Sequence, residues 1–200
     1  MLRRAAGSLP CVVINRVIRG LPSVVCDNSI ALEQAGNLLT DLGHRRIALL
    51  RGPTPSWAAQ RRAQAVETWA RRTGVALRTL GPFDSSYEGG RDAGASLVRS
   101  RVTAAFAFDD VMAAGVLAEL SERGIEVPGD CSIVGCDDVL LANMITPGLT
   151  TITAPVTEIG RAAVALTDGL AHGVEPKSVV TRLTGSLVLR ASTGPVASPG

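Results

Sequence analysis

The hydrophobic pattern between residues 29 and 135 repeats one plan, in which a short aliphatic run is followed by a polar turn and then by apolar residues at helical spacing. The four runs begin at Ile47, Ala76, Ala104 and Cys131, so their starts are separated by 29, 28 and 27 residues. This spacing is typical of βα units, in which each helix returns the chain to the start of a parallel strand. The pattern therefore predicts an α/β fold with a parallel, doubly wound sheet.

Residues that commonly begin and end helices bound the segments between these runs. Small polar residues precede the apolar stripes, and glycine follows most of them. The predicted boundaries are Asn28 or Ser29 to Gly43, Ser56 to Gly74, a start at the capping box Ser85-Ser86-Tyr87-Glu88, and Asp109 or Asp110 to Gly124.

The two ends of the chain depart from this repeat. Two apolar pieces, 11–14 and 24–26, precede the first predicted helix. Beyond residue 148 the pattern predicts a strand at 149–152, a helix from about Pro155, and two further strands at 179–183 and 187–189. The late helix carries an apolar stripe whose partner sheet we expect to be mostly missing, so we expect the stripe to be exposed and to mark an interface. That stripe consists of Ile159, Ala163, Leu166 and Leu170.

The turns that follow parallel strands gather at one edge of a sheet, where open α/β folds bind their ligands. In this sequence those turns are Arg51-Gly52-Pro53, Gly81-Pro82-Phe83-Asp84, Asp109-Asp110 and Gly135-Cys136-Asp137-Asp138. We expect the functional residues to lie there.

Four aspartates and Arg62 are the main candidates for chemistry at this edge. Paired carboxylates can act as a general acid and base, can bind a metal through oxygen, or can accept hydrogen bonds from the hydroxyls of a polyol. The second member of each pair, Asp110 and Asp138, is expected to cap a helix or turn, whereas Asp109 and Asp137 are expected to face the cleft. The residues themselves leave the three kinds of chemistry open.

Composition and missing motifs narrow the classes of function. Hydrophobic residues make up 46% of the 200 residues, charged residues make up 19%, and the net charge is +2. A disordered chain or a basic nucleic-acid arm has a different balance. No apolar run is long enough to span a membrane, and no secretion signal is expected, so we predict a cytoplasmic location. The sequence contains no phosphate-binding loop, no serine nucleophile elbow, no zinc-protease motif and no dinucleotide fingerprint.

The histidines and cysteines are expected to have structural roles. His44 and His172 follow predicted helix ends, where a basic side chain suits the helix dipole. The four cysteines lie in or beside apolar runs and are predicted to be buried free thiols rather than disulfides or zinc ligands.

Five segments together resemble the ligand-sensing domains of lactose-repressor-type (LacI/GalR-like) transcriptional regulators. They occur in the order and spacing of that family over roughly residues 12 to 194. The segments are Leu42–Leu50 with Gly52-Pro53, Phe108–Gly115, Val127–Asp138, Pro147–Ile152 and Leu189–Thr193.

The resemblance implies a periplasmic-binding-protein-like architecture with two lobes joined by three crossovers. In this sequence one lobe is expected to be complete and the other partial. The implied divisions are a remnant of the N-terminal lobe at 1–28, the C-terminal lobe at 29–148, a crossover and N-lobe helix at 149–175, closing strands of the C-terminal lobe at 176–194, and a flexible tail at 195–200.

The resemblance also implies a function, namely effector binding and dimerisation within a transcriptional regulator, without catalysis, metal or cofactor. The effector would be a small polar molecule such as a sugar. The protein would form a homodimer and would contact DNA only through a helix-turn-helix domain that this sequence lacks. The alternatives are a solute-binding protein of the same fold and a hydrolase that uses Asp109 and Asp137. The residues that match the effector-binding positions of the family are Arg62, Asp137, Asp109, Asn15 and, as the aromatic stacking residue, Phe83.

Overall fold

A computed structural model describes residues 9–176 and 178–196 of the chain. They divide into two compact units: one comprises the described residues of Met1–Asp27 and Ala154–Gly185, and the other comprises those of Asn28–Thr153 and Ser186–Gly200. Within the described ranges, no helix is both long and apolar enough to cross a membrane.

The elements alternate between strand and helix over most of the chain. In chain order they are β1 (Val13–Ile14), β2 (Ser23–Cys26), α1 (Ser29–Asp41), β3 (Arg46–Leu50), α2 (Trp57–Thr73), β4 (Ala76–Leu80), α3 (Tyr87–Val98), β5 (Ala104–Phe106), α4 (Asp110–Glu122), β6 (Ser132–Val134), α5 (Leu141–Met144), β7 (Thr151–Ile152), α6 (Val156–Ala171), β8 (Val180–Leu183) and β9 (Leu187–Val188).

The larger unit is built on a parallel sheet of strand order β4-β3-β5-β6. Apolar side chains cover both faces of this sheet, as expected when helices pack on each side. One face buries Trp69 and Phe106 among its core residues, and the other buries Met112 and Ile133. The predicted parallel α/β fold is therefore confirmed.

The segment at 150–153 lies beside β6 at the edge of this sheet. Residues 150 and 153 form isolated parallel bridges to residues 134 and 137, and β7 pairs with β9 in the antiparallel direction. The larger unit therefore contains one antiparallel pair beside an otherwise parallel sheet, which the βα repeat does not reveal.

The smaller unit contains a parallel sheet of order β1-β2-β8, against which α6 packs. Ile159 and Ala163 of α6 are buried with Val24 of β2. The expectation that this stripe is exposed for want of a sheet was wrong, because β2 and β8 supply the missing surface. The structure also groups β8 with this unit, whereas the sequence placed residues 176–194 with the larger lobe.

His44 follows the C-terminal end of α1, as the sequence predicts, and the structure adds that its side chain is buried. Its ring is 1% exposed. Nε2 lies 3.0 Å from the Gly194 carbonyl oxygen and 3.1 Å from the Ser132 hydroxyl, and Nδ1 lies 2.9 Å from the Thr103 hydroxyl. A carbonyl only accepts, so Nε2 carries the proton in the neutral ring. Burial lowers the pKa of His44, and the nearby charge of Arg45 lowers it further, against the raising effect of the Gly194 carbonyl.

The C-terminal segment is held by backbone contacts as far as it is described. The Val196 amide donates to the Leu42 carbonyl at 2.9 Å, and the Gly194 amide donates to the Ser132 hydroxyl at 3.1 Å. Residues 195 and 196 belong to the predicted flexible tail, and 197–200 lie outside the described residues.

Candidate ligand-binding site

The carboxyl ends of the strands in the larger unit bring Arg62 and Asp137 together. Arg62 lies in the second turn of α2, and Asp137 lies in the turn after β6. Ser56 places α2 by capping it, since the Ser56 hydroxyl accepts from the Ala59 amide at 3.2 Å. The Arg62 guanidinium contacts both carboxylate oxygens of Asp137, Nη2 bonding Oδ1 and Nη1 lying 3.3 Å from Oδ2.

Two further contacts fix the plane of the Arg62 guanidinium. Nη1 donates to the Phe108 carbonyl oxygen at 2.8 Å, and the guanidinium carbon lies 5.0 Å from the centroid of the Phe108 ring. Stacking on an aromatic face is favourable for a cation and restricts its rotation. The side chains of Arg62 and Asp137 are 16% and 32% exposed, so the pair is accessible without being fully solvated.

The electrostatics keep Arg62 charged. Burial opposes the charged form of Arg62, but neighbouring acidic groups, Asp137 among them, outweigh burial and hold the pKa of the guanidinium above its ordinary value. The site therefore offers a fixed cation beside a carboxylate. Such a pair supplies several hydrogen-bond donors and acceptors at one point.

The turn that carries Asp137 has an unusual backbone. Asp137 has φ 109° and Asp138 has φ 50°, both in the region that favours glycine. Residues in such conformations cost about 1–3 kcal/mol each and persist where surrounding contacts hold them. The Asp137 amide donates to the Ile152 carbonyl at 2.7 Å, and Arg190 pairs with Asp138 at 2.6 Å.

Asp109, and not Asp110, caps the helix that follows β5. Asp109, expected to face the cleft, is the N-cap of α4: Oδ1 accepts from the Met112 amide at 2.8 Å, and Oδ2 accepts from the Ser85 hydroxyl. Asp110, expected to be the cap, is instead a buried helical residue that bonds to Thr151. Asp109 is the last residue with an extended backbone before α4 begins. Its side chain can therefore reach the amide of the third helical residue, Met112.

The structure places Phe83 at the same edge and Asn15 in the other unit. Phe83 follows β4, is partly buried against the core, and its amide donates to the Arg51 carbonyl at 2.9 Å. Asn15 follows β1 with φ 52°, and its side-chain oxygen accepts from the Cys26 amide at 3.3 Å.

Three residues of this edge were not singled out from the sequence: Phe108, Ser85 and Arg190. Ser85 was interpreted as the start of a capping box, but Ser86 caps α3 by accepting from the Gly89 amide at 3.0 Å, which leaves Ser85 to bond Asp109. Phe108 ends the apolar run before Asp109, and that position was the available signal. Arg190 lies too far along the chain for any local pattern to connect it with Asp138.

The buried thiol beneath Arg62 is not suited to nucleophilic chemistry. Burial raises the pKa of Cys136 to about 12, so the thiol stays protonated at neutral pH. Its sulfur accepts from the Asn28 side-chain amide at 3.2 Å. Within the described part of the chain, no three His, Cys, Asp or Glu side chains are grouped in a way that could hold a metal ion.

The charged, partly open pair of Arg62 and Asp137 lies at the carboxyl ends of parallel strands, which is the edge at which open α/β folds bind their ligands. A family model described as a periplasmic binding protein-like domain matches residues 37–193. Over 177 residues the chain is 34% identical to the HTH-type transcriptional repressor CytR of Escherichia coli strain K12. The matched region covers 86% of this chain and 52% of that protein.

Two crystal structures of LacI family transcriptional regulators are similar throughout the described fold. The regulator from Enterococcus faecium with bound ribose has a TM-score of 0.86 and 29% identity, covering 96% of this chain and 73% of that one. The regulator from Arthrobacter sp. FB24 in complex with lactose has a TM-score of 0.82 and 33% identity, covering 92% and 71%. The chain belongs to the periplasmic-binding-protein-like domains of the LacI family of transcriptional regulators. It spans about half the length of the curated relatives it matches.

Proposed function

We propose that this chain senses an effector for a LacI-type transcriptional regulator by binding a small polar molecule, such as a sugar, at the carboxyl edge of the larger unit's sheet. The observation that carries this proposal is the ion pair of Arg62 and Asp137, which is partly exposed and braced by Phe108. Two structural relatives hold ribose and lactose, which is the same class of ligand.

The chemistry of the pair suits neighbouring hydroxyl groups. A sugar hydroxyl can accept a hydrogen bond from the Arg62 guanidinium and donate one to the Asp137 carboxylate. Both side chains already have fixed orientations, so little side-chain entropy is lost on binding. Ligand binding that favours one conformation of the whole regulator would then alter its action on transcription.

Asp109 and Phe83 complete the proposed set of contacts in the larger unit. Asp109 offers an acceptor where the family usually has asparagine, so it cannot donate as an amide does. Two of its lone pairs are engaged by Met112 and Ser85, and the remaining capacity is what a ligand would use. Phe83 would stack on a ring face of the ligand. Asn15 stays a prediction from the sequence.

We propose no catalysis for this chain. Of the four aspartates at the carboxyl edge, the three other than Asp137 each have a structural partner: Asp109 caps α4, Asp110 bonds to Thr151, and Asp138 pairs with Arg190. The relatives reported above are transcriptional regulators.

We also propose a cytoplasmic homodimer. Light scattering of the purified chain at ~100 µM tests the oligomeric state, and a monomeric mass would contradict the proposed dimer.

A ligand panel tests the proposed function. We expect one or more members of a panel of ribose, lactose, other sugars, polyols and nucleobases to raise the melting temperature. A ligand present at 100 times its dissociation constant stabilises the folded state by about 2.7 kcal/mol. Isothermal titration calorimetry then gives the affinity of each hit.

Arg62→Ala is the matched test of the site, and Arg72→Ala is its control. Both arginines lie on α2 and form ion pairs, but Arg72 pairs with Glu33 away from the carboxyl edge. Arg62→Ala is expected to abolish the shift that the ligand produces, while Arg72→Ala keeps it. Equal binding by both variants, or no binding by any member of the panel, would contradict the proposed function.

A further inference from the structure

The turn at 135–139, which we call the Asp137 turn, needs external support because two successive residues have positive φ. Asp137 at 109° and Asp138 at 50° occupy backbone regions that side chains other than glycine's seldom adopt. A turn of this kind relaxes unless neighbouring groups hold its backbone. In this conformation the Asp137 carboxylate contacts the Arg62 guanidinium.

Asp110 holds the Asp137 turn on both sides. Its backbone amide donates to the Cys136 carbonyl at 2.9 Å, one residue before Asp137. Its Oδ2 accepts from the Val139 amide at 2.9 Å, two residues after Asp137. Its Oδ1 accepts from the Thr151 hydroxyl at 2.5 Å.

Asp110 is buried, and its carboxylate is hydrogen-bonded. The residue is 1% exposed, and burial raises the pKa of its carboxyl against the lowering effect of the Thr151 and Val139 hydrogen bonds. A side-chain carbon at Gly135 would overlap Asp110 Oδ1, so the absence of a side chain there allows the close approach. A buried carboxylate is costly without such partners.

The segment at 150–152 and Arg190 also contact the turn. The Gly135 amide donates to the Thr150 carbonyl at 2.9 Å. The Ile152 carbonyl receives the Asp137 amide at 2.7 Å, and Arg190 reaches the Asp138 carboxylate at 2.6 Å while also donating to the Leu149 carbonyl at 2.8 Å. Asp110 differs from both because it bonds to backbone groups on each side of the two strained residues.

We propose that Asp110 is a positioning residue, which holds the Asp137 turn in the conformation that presents the Asp137 carboxylate to Arg62 and to the ligand. The consequence for the ligand rests on the proposed function. The geometric part, that Asp110 sets the contact between Arg62 and Asp137, does not require any ligand.

A set of double-mutant cycles tests this geometric part in the intact chain without ligand. Denaturant unfolding of the parent, Arg62→Ala, Asp137→Ala and the double variant gives the coupling between Arg62 and Asp137. The cycle is then repeated in chains that also carry Asp110→Ala, Asp110→Asn or Leu120→Ala. Leu120 is a buried residue at the far end of α4, so Leu120→Ala destabilises the same helix without touching the turn.

We expect a coupling of about fivefold or more in the unfolding equilibrium of the parent, a size typical of contacting residues. Asp110→Ala is expected to reduce that factor to near one, whereas Leu120→Ala leaves it unchanged. Asp110→Asn is expected to retain the coupling, because its side-chain oxygen can accept from the Val139 amide and its nitrogen can donate to the Thr151 hydroxyl. Rescue by asparagine distinguishes positioning from a general loss of stability.

The proposal is overturned if the coupling survives Asp110→Ala, or if Leu120→Ala removes it equally. Should Asp110→Ala not fold, Asp110→Ser is measured in its place, since a serine hydroxyl is too short to reach both Val139 and Thr151. If the parent binds no ligand of the panel but Asp110→Ala removes the coupling between Arg62 and Asp137, the proposed function is overturned and this inference is supported. If the parent binds a ligand but the coupling survives Asp110→Ala, the proposed function is supported and this inference is overturned.

Discussion

The four aspartates at the carboxyl edge of the larger unit show how the surroundings of a side chain decide its role. Asp109 caps a helix, Asp110 braces a turn, and Asp138 forms an ion pair with Arg190. Asp137 is the one that faces a partly exposed arginine, Arg62, and it keeps about a third of its side chain accessible. Identical carboxylates therefore differ in how much of their hydrogen-bonding capacity is left for a ligand, and Asp137 has the most exposed side chain in an ion pair at this edge.

Asp137→Asn is expected to weaken ligand binding while the chain remains folded. The amide keeps one acceptor but loses the charge, and loss of a charged hydrogen-bond partner typically costs about 1.5–3 kcal/mol. Calorimetric titration of a sugar that binds the parent should show an affinity reduced by at least about tenfold. Glu33→Gln, which alters the remote ion pair with Arg72, is the control and should leave the affinity unchanged. Parent-like affinity in Asp137→Asn would remove Asp137 from the site.

The buried His44 is expected to make stability depend on pH in a defined direction. Its folded pKa lies below the ordinary value of 6.5, so the unfolded chain takes up the proton first as the pH falls. The contribution of His44 is therefore fully present above about pH 6.5 and decreases below it until the folded ring also becomes protonated. Denaturant unfolding between about pH 5.5 and 7.5 should show this decrease in the parent and not in His44→Gln. Parallel pH profiles for the two proteins would contradict it.

At the scale of elements, α3 and α4 approach closely because glycine occupies the contact. A side-chain carbon at Gly90 would overlap the Met112 carbonyl, and one at Gly115 would overlap the Tyr87 carbonyl. Neither obstacle is the end of a flexible side chain, so neither can move aside cheaply. Helical glycine costs about 0.5–1 kcal/mol relative to alanine, a cost that the close contact offsets here.

Gly115→Ala is accordingly expected to destabilise the chain, although alanine is the better helix former. Forcing atoms into a packed contact typically costs about 1–3 kcal/mol. Gly160→Ala in α6 is the matched control, because nothing lies within 4 Å of the added carbon, and it should be neutral or stabilising by up to ~1 kcal/mol. Denaturant midpoints of the two variants measure the difference. A destabilised Gly160→Ala with an unchanged Gly115→Ala would refute this packing argument.

At the scale of the whole chain, charge is nearly balanced and much of it is paired. The sequence has 20 basic and 18 acidic residues. Within the described residues, ion pairs join α1 to α2 through Glu33 and Arg72, and α3 to α4 through Arg91 and Glu122. Tracking a nucleic-acid backbone requires a continuous stripe of unpaired cations instead.

We therefore expect the purified chain to give no gel shift with random duplex DNA at ~150 mM salt, with or without sugar. Non-specific binding to DNA is dominated by such phosphate contacts and weakens steeply with salt. A sequence-selective shift would contradict this expectation. The first residues to substitute would then be Arg16 and, outside the described residues, Arg3 and Arg4.

The sequence by itself determined the repeated strand-and-helix plan of the larger unit and the edge at which the candidate residues Arg62 and Asp137 lie. Both follow from local signals, because hydrophobic period, helix caps and glycine stops act over a few residues. The same signals led to Arg62 and Asp137 as candidates, and the structure places them in contact.

Only the tertiary structure decided which aspartate caps α4, where His44 lies and which sheet receives β8. Asp109 and Asp110 are equivalent in the sequence, and the backbone angles at the end of β5 choose between them. His44 is buried by the return of Gly194, 150 residues away, and β8 pairs with β2 across a similarly long stretch of chain. Partners so far apart are selected by the fit of packed surfaces and strand edges, which no local pattern of residues records.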